Sequence, residues 1–410
     1  MSTDYIGIIG AFFLLFVAFL FSTNKRAINL RVVLSAFGLQ IVIAAFVLFT
    51  PIGVRVVEGL SNGVSVLLGY STDGIELLFG PLADQQSIGT IFAVQLLPIV
   101  IFFASLMSIL YHFRIMPVVV AAIGSFLRLV IGTRPVESLN AAANIFVGQT
   151  EAPLAIKPYL DKVTGPQLFT IMVSGLASVA GTVLAAYAGI GIKLEYLLAA
   201  SIMAAPGGLL MAKIIMPDGP DADENALPVR AILKEKSPHT NVFMAAAMGA
   251  TDGLKLALNI GAMLIAFVSL IALANGIIGG LAGLAGIEDL TLQKMLGWLF
   301  SPVMFLLGVP WVDAQVAGGL FGEKLVLNEF VAYFHLIEIR DTLEPRSVAI
   351  ITFALCGFAN LLSIGILLGG IGALVPDRMS EIARYGMHAL LAASLSNLMS
   401  ATLAGLLLRL

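Results

Sequence analysis

Long uncharged runs alternate with short polar breaks along almost the whole chain. The runs are Tyr5–Asn24, Val32–Val54, Gln85–Phe113, Val163–Ile192, Tyr196–Ala212, Leu256–Ile287, Ser347–Pro376 and Tyr385–Leu408. A helix needs about 20 mainly apolar residues to cross the hydrocarbon core, so this pattern predicts an all-α polytopic membrane protein with eight transmembrane helices. Two further apolar stretches, 135–160 and about 295–336, carry charge and are interrupted midway, by Gly148-Gln149 and by Gly308-Val309-Pro310. They read as re-entrant helical hairpins, since non-helical backbone at membrane depth survives where protein buries it or it lines a cavity.

The spans that follow the hairpins are themselves broken, at Ser174–Thr182 and at Gly357–Gly365. The order hairpin, broken span, span therefore occurs twice. The side on which each hairpin enters makes the two units an inverted repeat, an architecture in which substrate binds at the repeat interface. The domain boundaries that follow are 1–114 (scaffold helices and an interfacial helix), 115–214 (first repeat), 215–287 (cytoplasmic connection and a scaffold helix) and 288–410 (second repeat). The first three spans and the run at 256–287 are expected to form a static frame. Arg55–Asp84 mixes apolar residues with Arg55, Glu58, Asp73 and Glu76 and reads as an interfacial amphipathic stretch. Lys25, Arg26 and Arg31 fill the first connection, which places that side in the cytoplasm together with Arg114, Lys213, Arg230, Lys234, Lys236, Arg378 and Arg384, while Glu288 and Asp289 fall outside. Positive charge follows the first run instead of preceding it, so Tyr5–Asn24 reads as a retained helix.

Composition agrees: hydrophobic residues are 59% and charged residues 11%, and the mean hydropathy is +1.01. The net charge of −3 and the lack of a basic run leave nothing for nucleic acid. Cys356 is the single cysteine, which excludes a disulfide framework; it reads as a packing residue. His112, His239, His335 and His388 show no metal-ligand spacing, although His335, six residues after Glu329, is placed to tune that carboxylate.

Three polar islands interrupt the apolar background: Asn144–Leu154, Asn328-Glu329-Phe330 and Phe358–Ser363. Carboxylates and amides at bilayer depth are costly and mark solute routes. An intramembrane enzyme would also bury carboxylates, and a channel would also use polar hairpins. The first would show a nucleophile with its base or clustered acidic ligands, and the second would not need broken repeats.

The segments Gly148-Gln149-Thr150-Glu151-Ala152-Pro153, Lys324-Leu-Val-Leu-Asn328-Glu329-Phe330-Val-Ala-Tyr333 and Gly357-Phe358-Ala359-Asn360 with Ser363 resemble the concentrative nucleoside transporters, bacterial type, over nearly the whole chain. The resemblance implies a homotrimer in the bacterial inner membrane, importing nucleosides such as uridine by an elevator-like movement driven by a cation gradient. It assigns Gln149, Thr150 and Glu151 to the nucleobase, Glu329, Asn360 and Ser363 to the ribose, and Val183 and Phe358 to the apolar walls. Side-chain chemistry suits these roles, since hydroxyls of ribose match carboxylate, amide and hydroxyl partners. The resemblance also assigns a coupling sodium ion to Asn144 and Ser178 with the carbonyls of Val147 and Val179, a set of neutral hard oxygens. Glu151 and Glu329 keep the alternative of proton coupling. One departure from the family pattern is Leu361-Leu362 ahead of a single Ser363, where adjacent serines are common, and this leaves nucleoside selectivity open.

Overall fold

The computed structural model describes residues 3–84, 91–219, 239–284, 286–287 and 289–408; the expectations for Arg230, Lys234, Lys236 and Glu288 lie outside them. All regular structure among the described residues is helical. Helix α1 (Thr3–Leu20) precedes α2 (Leu30–Phe49), whose first turn is capped by Asn29 accepting from the amides of Arg31 and Val32. Thr50 ends α2 and starts α3 (Pro51–Phe79): its hydroxyl donates to the Phe46 carbonyl at 2.7 Å and accepts from the Gly53 amide at 3.1 Å, with Pro51 at the first helical position. A short α4 (Phe92–Gln95) leads into α5 (Leu97–His112).

Two units of the same order follow. The first runs α6 (Ile115–Ile131), α7 (Pro135–Ala143), an irregular tip, a 3₁₀ segment (Ala152–Lys162), then α8 (Gly165–Ala177), α9 (Gly181–Gly189) and α10 (Leu194–Ile215). After α11 (Val242–Leu284), the second runs α12 (Leu292–Leu306), α13 (Trp311–Val326), a two-residue tip, α14 (Glu329–Ile339), α15 (Pro345–Leu355), α16 (Leu361–Leu374) and α17 (Met379–Leu407). Local sequence sets the joints. Thr164 and Gln167 form a reciprocal capping box that opens α8, and Asn328 and Asn360 cap α14 and α16 through their side-chain oxygens.

The stretch expected as one hairpin over about 295–336 contains two breaks. The turn at Gly308-Val309-Pro310 bends α12 against α13 by 119°, but the polar tip lies at Leu327–Asn328, where the Asn328 side chain accepts from the Val331 amide at 3.0 Å. The re-entrant pair is therefore α13–α14, and α12 corresponds to α6 of the first unit. Pro310 drew attention to the first break; the second turns on an asparagine cap that looks ordinary in sequence.

Seven helical segments among the described residues are long and apolar enough to cross a membrane. Pro51–Ala83, expected to be interfacial, is one of them, at the low hydropathy of 1.2 and only 17% buried. The spans split into two environments. Gly165–Gly189 and Leu194–Ile215 are each 89% buried by protein and Pro376–Leu407 is 83% buried, whereas Leu30–Phe49, Phe92–His112 and Val242–Leu284 are at 33% or below. Of the inner spans, Gly165–Gly189 carries one of the two breaks; the outer ones present apolar side chains outward.

Among the outer helices, α5 and α11 are fused along one face. A Cβ at Gly249 would lie 2.6 Å from Ser108 Cβ and one at Gly253 2.7 Å from Ile101 Cα, so only glycine permits this approach. Ser105 and Ser108 then donate across the seam to the carbonyls of Ala246 and Ala245 at 3.0 and 2.7 Å. With 43 residues, α11 is about 64 Å long, twice the hydrocarbon thickness, so it tilts strongly or projects from the membrane. Of the spans expected to form a static frame, α1 and α2 pack on α10 and α17 instead of joining the α5–α11 pair.

Candidate functional site

The two broken spans meet at their breaks. Between α8 and α9 the backbone turns extended at Ser178, and between α15 and α16 it does so at Cys356–Asn360. The Phe358 amide donates to the Ser178 carbonyl at 3.1 Å, joining the breaks directly. Asn397 on α17 reinforces the joint: its Nδ2 donates to the carbonyls of Ala177 at 2.7 Å and Cys356 at 2.9 Å. These carbonyls lost their helical partners when the helices stopped, and a buried carbonyl without a partner is costly. Gly357 makes the fit possible, since a Cβ there would lie 2.3 Å from Asn397 Oδ1.

Both hairpin tips press against this joint. In the first, the Gly181 amide donates to the Phe146 carbonyl at 2.9 Å, and Ser201 on α10 donates to the Ile145 carbonyl at 3.1 Å. Gln149 lies against Gly175, where a Cβ would meet Gln149 Cβ at 2.9 Å. The Gly148 amide donates to Glu151 Oε2 at 3.0 Å, which folds the tip back on itself. In the second, Glu329 begins α14, where the helix N-terminus favours its charge. Its Oε1 accepts from the Tyr187 hydroxyl at 2.7 Å and its Oε2 from Asn360 Nδ2 at 3.0 Å. Each carboxylate oxygen keeps a lone pair. Asn360 Oδ1 in turn accepts from the Ser363 amide at 2.8 Å, so the amide side chain has one orientation.

A cavity of about 160 Å³ lies between the tips and the breaks. All eight residues assigned to substrate, Gln149, Thr150, Glu151, Val183, Glu329, Phe358, Asn360 and Ser363, line it. Gln149 Oε1 is buried with no hydrogen-bond partner among the described residues, an acceptor in want of a donor. Leu256, Ile260, Met263 and Leu264 of α11 form the opposite wall. A second cavity, about 560 Å³, lies beyond Glu151 and Thr182, which line both; Tyr111, Arg114, Lys157, His239 and Asp252 surround it.

The residues assigned to sodium fall on two segments, the hairpin end at Asn144–Val147 and the break at Ser178–Val179, which the Gly181–Phe146 main-chain bond links. Asn144 is buried, its Nδ2 donates to the Asn140 carbonyl at 2.9 Å, and its Oδ1 has no partner among the described residues. Val147, Ser178 and Val179 are buried as well, with the Ser178 hydroxyl donating at 3.3 Å to the Gly175 carbonyl. An orphaned amide oxygen beside a hydroxyl and a broken helix end is a donor set suited to a hard monovalent cation.

Sequence reasoning missed three residues here. Tyr187 holds Glu329, Asn397 braces both breaks, and Lys324 is wholly buried with its ammonium on Asn397 Oδ1 and the Ala354 carbonyl, both at 2.8 Å. The signal available was a phenol in the apolar run Ala185-Ala186-Tyr187-Ala188 and the polar series Ser394, Ser396, Asn397, Ser400 in the last span. His335 does not reach Glu329; its Nδ1 lies 2.7 Å from Glu323 Oε2.

Comparison with known proteins agrees with this geometry. Residues 196–405 match the family model described as Na+ dependent nucleoside transporter C-terminus, residues 9–82 its N-terminal counterpart, and residues 93–194 a nucleoside recognition (Gate) model. The chain is 47% identical to Nucleoside permease NupC of Helicobacter pylori, covering 97% of this chain and 96% of that one. It is 36% identical to Sodium/nucleoside cotransporter 2 of Rattus norvegicus, over 96% of this chain and 61% of the longer rat protein. The fold superposes on CNTnw in an inward-facing substrate-bound state with a TM-score of 0.94 at 46% identity, covering 99% of this chain and 98% of that one. A CNTnw double variant in an outward-facing state gives 0.92 at 45% identity, again over 99% and 98%. These relatives are transporters and permeases, not enzymes, and the chain is a multi-pass membrane protein that belongs to the sodium-dependent nucleoside transporter family.

Proposed function

We propose that this protein is a secondary active symporter that imports nucleosides across the bacterial inner membrane, driven by a sodium gradient, as a homotrimer. The observation that carries the reading is the convergence of both repeats on one carboxylate. Glu329 of the second hairpin is held by Tyr187 of the first repeat and Asn360 of the second, with a free lone pair on each oxygen. A vicinal diol donates two hydrogen bonds at that spacing, so the ribose engages Glu329 and Ser363 while the base lies between Gln149, Thr150 and Glu151 and the walls Val183 and Phe358.

Sodium sits at Asn144 and Ser178 with carbonyls of Val147 and Val179. The chemistry it supplies is a positive charge for the Asn144 side-chain oxygen, which has no donor among the described residues. The chain's own residues do the rest: the Phe358–Ser178 main-chain bond ties that site to the base wall, so order in one favours order in the other. The fused α5–α11 pair supplies a frame, and the compact body carrying the tips and breaks moves against its apolar face in an elevator-like step. The larger cavity bounded by Arg114 and His239 is the release route on the cytoplasmic side.

Proton coupling is the second reading, and one observation favours it: Glu151 lines both cavities and so is within reach of solvent from either. Isothermal titration of purified protein with uridine, in sodium and then in potassium at matched pH, tests the substrate and ion together. Binding that needs sodium supports the proposal; binding indifferent to the cation but lost at high pH transfers the coupling to Glu151. Absence of binding to any nucleoside by folded protein overturns the substrate class.

A further inference from the structure

The two repeats solve the same problem with different cations. Where α8 breaks, the first hairpin tip is joined to it by the Gly181–Phe146 main-chain bond, and the Asn144 side-chain oxygen of that hairpin is buried with no donor among the described residues. Where α15 breaks, the equivalent place is filled from within. Lys324, in the last turn of α13, extends its ammonium to the Ala354 carbonyl and to Asn397 Oδ1, each at 2.8 Å. It is 0% exposed, so its charge is screened by the protein alone. Within each unit the place is the same: hairpin arm against the break of the span that follows.

Asn397 makes the arrangement more than local. By accepting from Lys324 through Oδ1, it is held with Nδ2 toward Cys356 and, across the repeat boundary, toward Ala177, the residue before Ser178. The ammonium thus orients the one side chain that ties both breaks. An ammonium and a sodium ion carry the same charge and both bind oxygen lone pairs, the first by donating hydrogen bonds and the second by coordination, but the lysine's position is fixed covalently and costs no ion from solution.

We propose that Lys324 is a tethered cation: it takes in the second repeat the place that a sodium ion takes in the first, which leaves the carrier with one exchangeable cation site instead of a symmetric pair. This rests on the sodium reading of Asn144 and Ser178. The ligand class of the latent second site is a monovalent hard cation, and Lys324 acts as a positioning residue for the substrate cavity through Asn397.

The test is uridine binding by isothermal titration calorimetry across sodium concentrations, with choline holding ionic strength constant. The slope of log affinity against log sodium counts the ions taken up with the nucleoside, about one in the unaltered protein. In Lys324→Thr, which frees the space and leaves a hydroxyl beside the Ala354 and Asn397 oxygens, the slope rises to about two. In Lys324→Met, which fills the space without charge, uridine affinity falls by at least about tenfold and added sodium does not restore it. A threonine variant whose slope stays at about one overturns the proposal whatever its affinity. So does a methionine variant that binds as the unaltered protein does, and so does failure of the threonine variant to fold even in high sodium. Unaltered protein insensitive to sodium would instead overturn the reading of the first repeat, which is a separate outcome of the same titration.

Discussion

The amide of Phe358 donates to the carbonyl of Ser178 at 3.1 Å, and this one bond links the wall of the cavity proposed for the nucleoside to the segment proposed to hold the cation. Because the bond uses the Ser178 carbonyl, the Ser178 hydroxyl and the Asn144 side-chain oxygen remain for a cation. Asn144→Ala is expected to shift the sodium dependence of uridine binding upward by about tenfold, while affinity at saturating sodium stays within a few fold. Calorimetry at graded sodium checks this. A sodium dependence unchanged by the substitution would place the ion elsewhere.

Glu329 accepts from Tyr187 on one oxygen and from Asn360 on the other. An amide in its place either meets Asn360 Nδ2 donor to donor or forces the Tyr187 hydroxyl to turn from donor to acceptor. Glu329→Gln is therefore expected to weaken uridine binding by more than about 100-fold, beyond what the lost charge alone removes. Monodisperse gel filtration with full-affinity binding would contradict the assignment.

Tyr187→Phe keeps the ring packed at 4.7 Å from Tyr333 and deletes only the hydroxyl. The carboxylate then has one tether. A hydrogen bond to a charged group contributes about 1.5–3 kcal/mol, so uridine affinity should fall about tenfold or more. The loss should be smaller for 2′,3′-dideoxyuridine, which has no diol for Glu329 to orient; an equal loss for both ligands would mean that Tyr187 acts on the base.

Removing the brace is read most directly in stability. Asn397→Leu leaves the Ala177 and Cys356 carbonyls and the Lys324 ammonium without their partner in a buried setting. A cost of about 2–4 kcal/mol is expected, read as a lower Tm in detergent. A Tm equal to that of the unaltered protein would show that water replaces the amide.

What could be read from sequence and what could not differ in kind. Glu151, Glu329 and Asn360 stand out because an apolar background makes each polar residue expensive, and the same physics located both broken spans and the first hairpin. The second hairpin was misjudged because Gly308-Val309-Pro310 is the louder breaker, although it joins α12 to α13 at 119° and the tip belongs to Leu327–Asn328. Tyr187, Lys324 and Asn397 were not singled out because their value lies in partners 142, 73 and 220 positions away, at Glu329, Asn397 and Ala177. Arg55–Asp84 reads as interfacial on its four charges, and the helical segment that holds most of it, Pro51–Ala83, meets the length and hydropathy expected of a span only at the low value of 1.2. Packing of α1 and α2 on the inner spans has little periodic signature in two mainly apolar helices, and the polar mark of it in α2 is Gln40, which donates to the Ser400 hydroxyl of α17 at 3.0 Å.

The most direct measurement is uptake of radiolabelled uridine into proteoliposomes under an inward sodium gradient, compared with potassium at matched pH and with an acid-outside gradient. Accumulation above the equilibrium level with sodium alone, and recovery of the uridine unchanged, is the result this account predicts. Equal uptake without sodium under the acid-outside gradient would contradict the assignment of the coupling ion to Asn144 and Ser178.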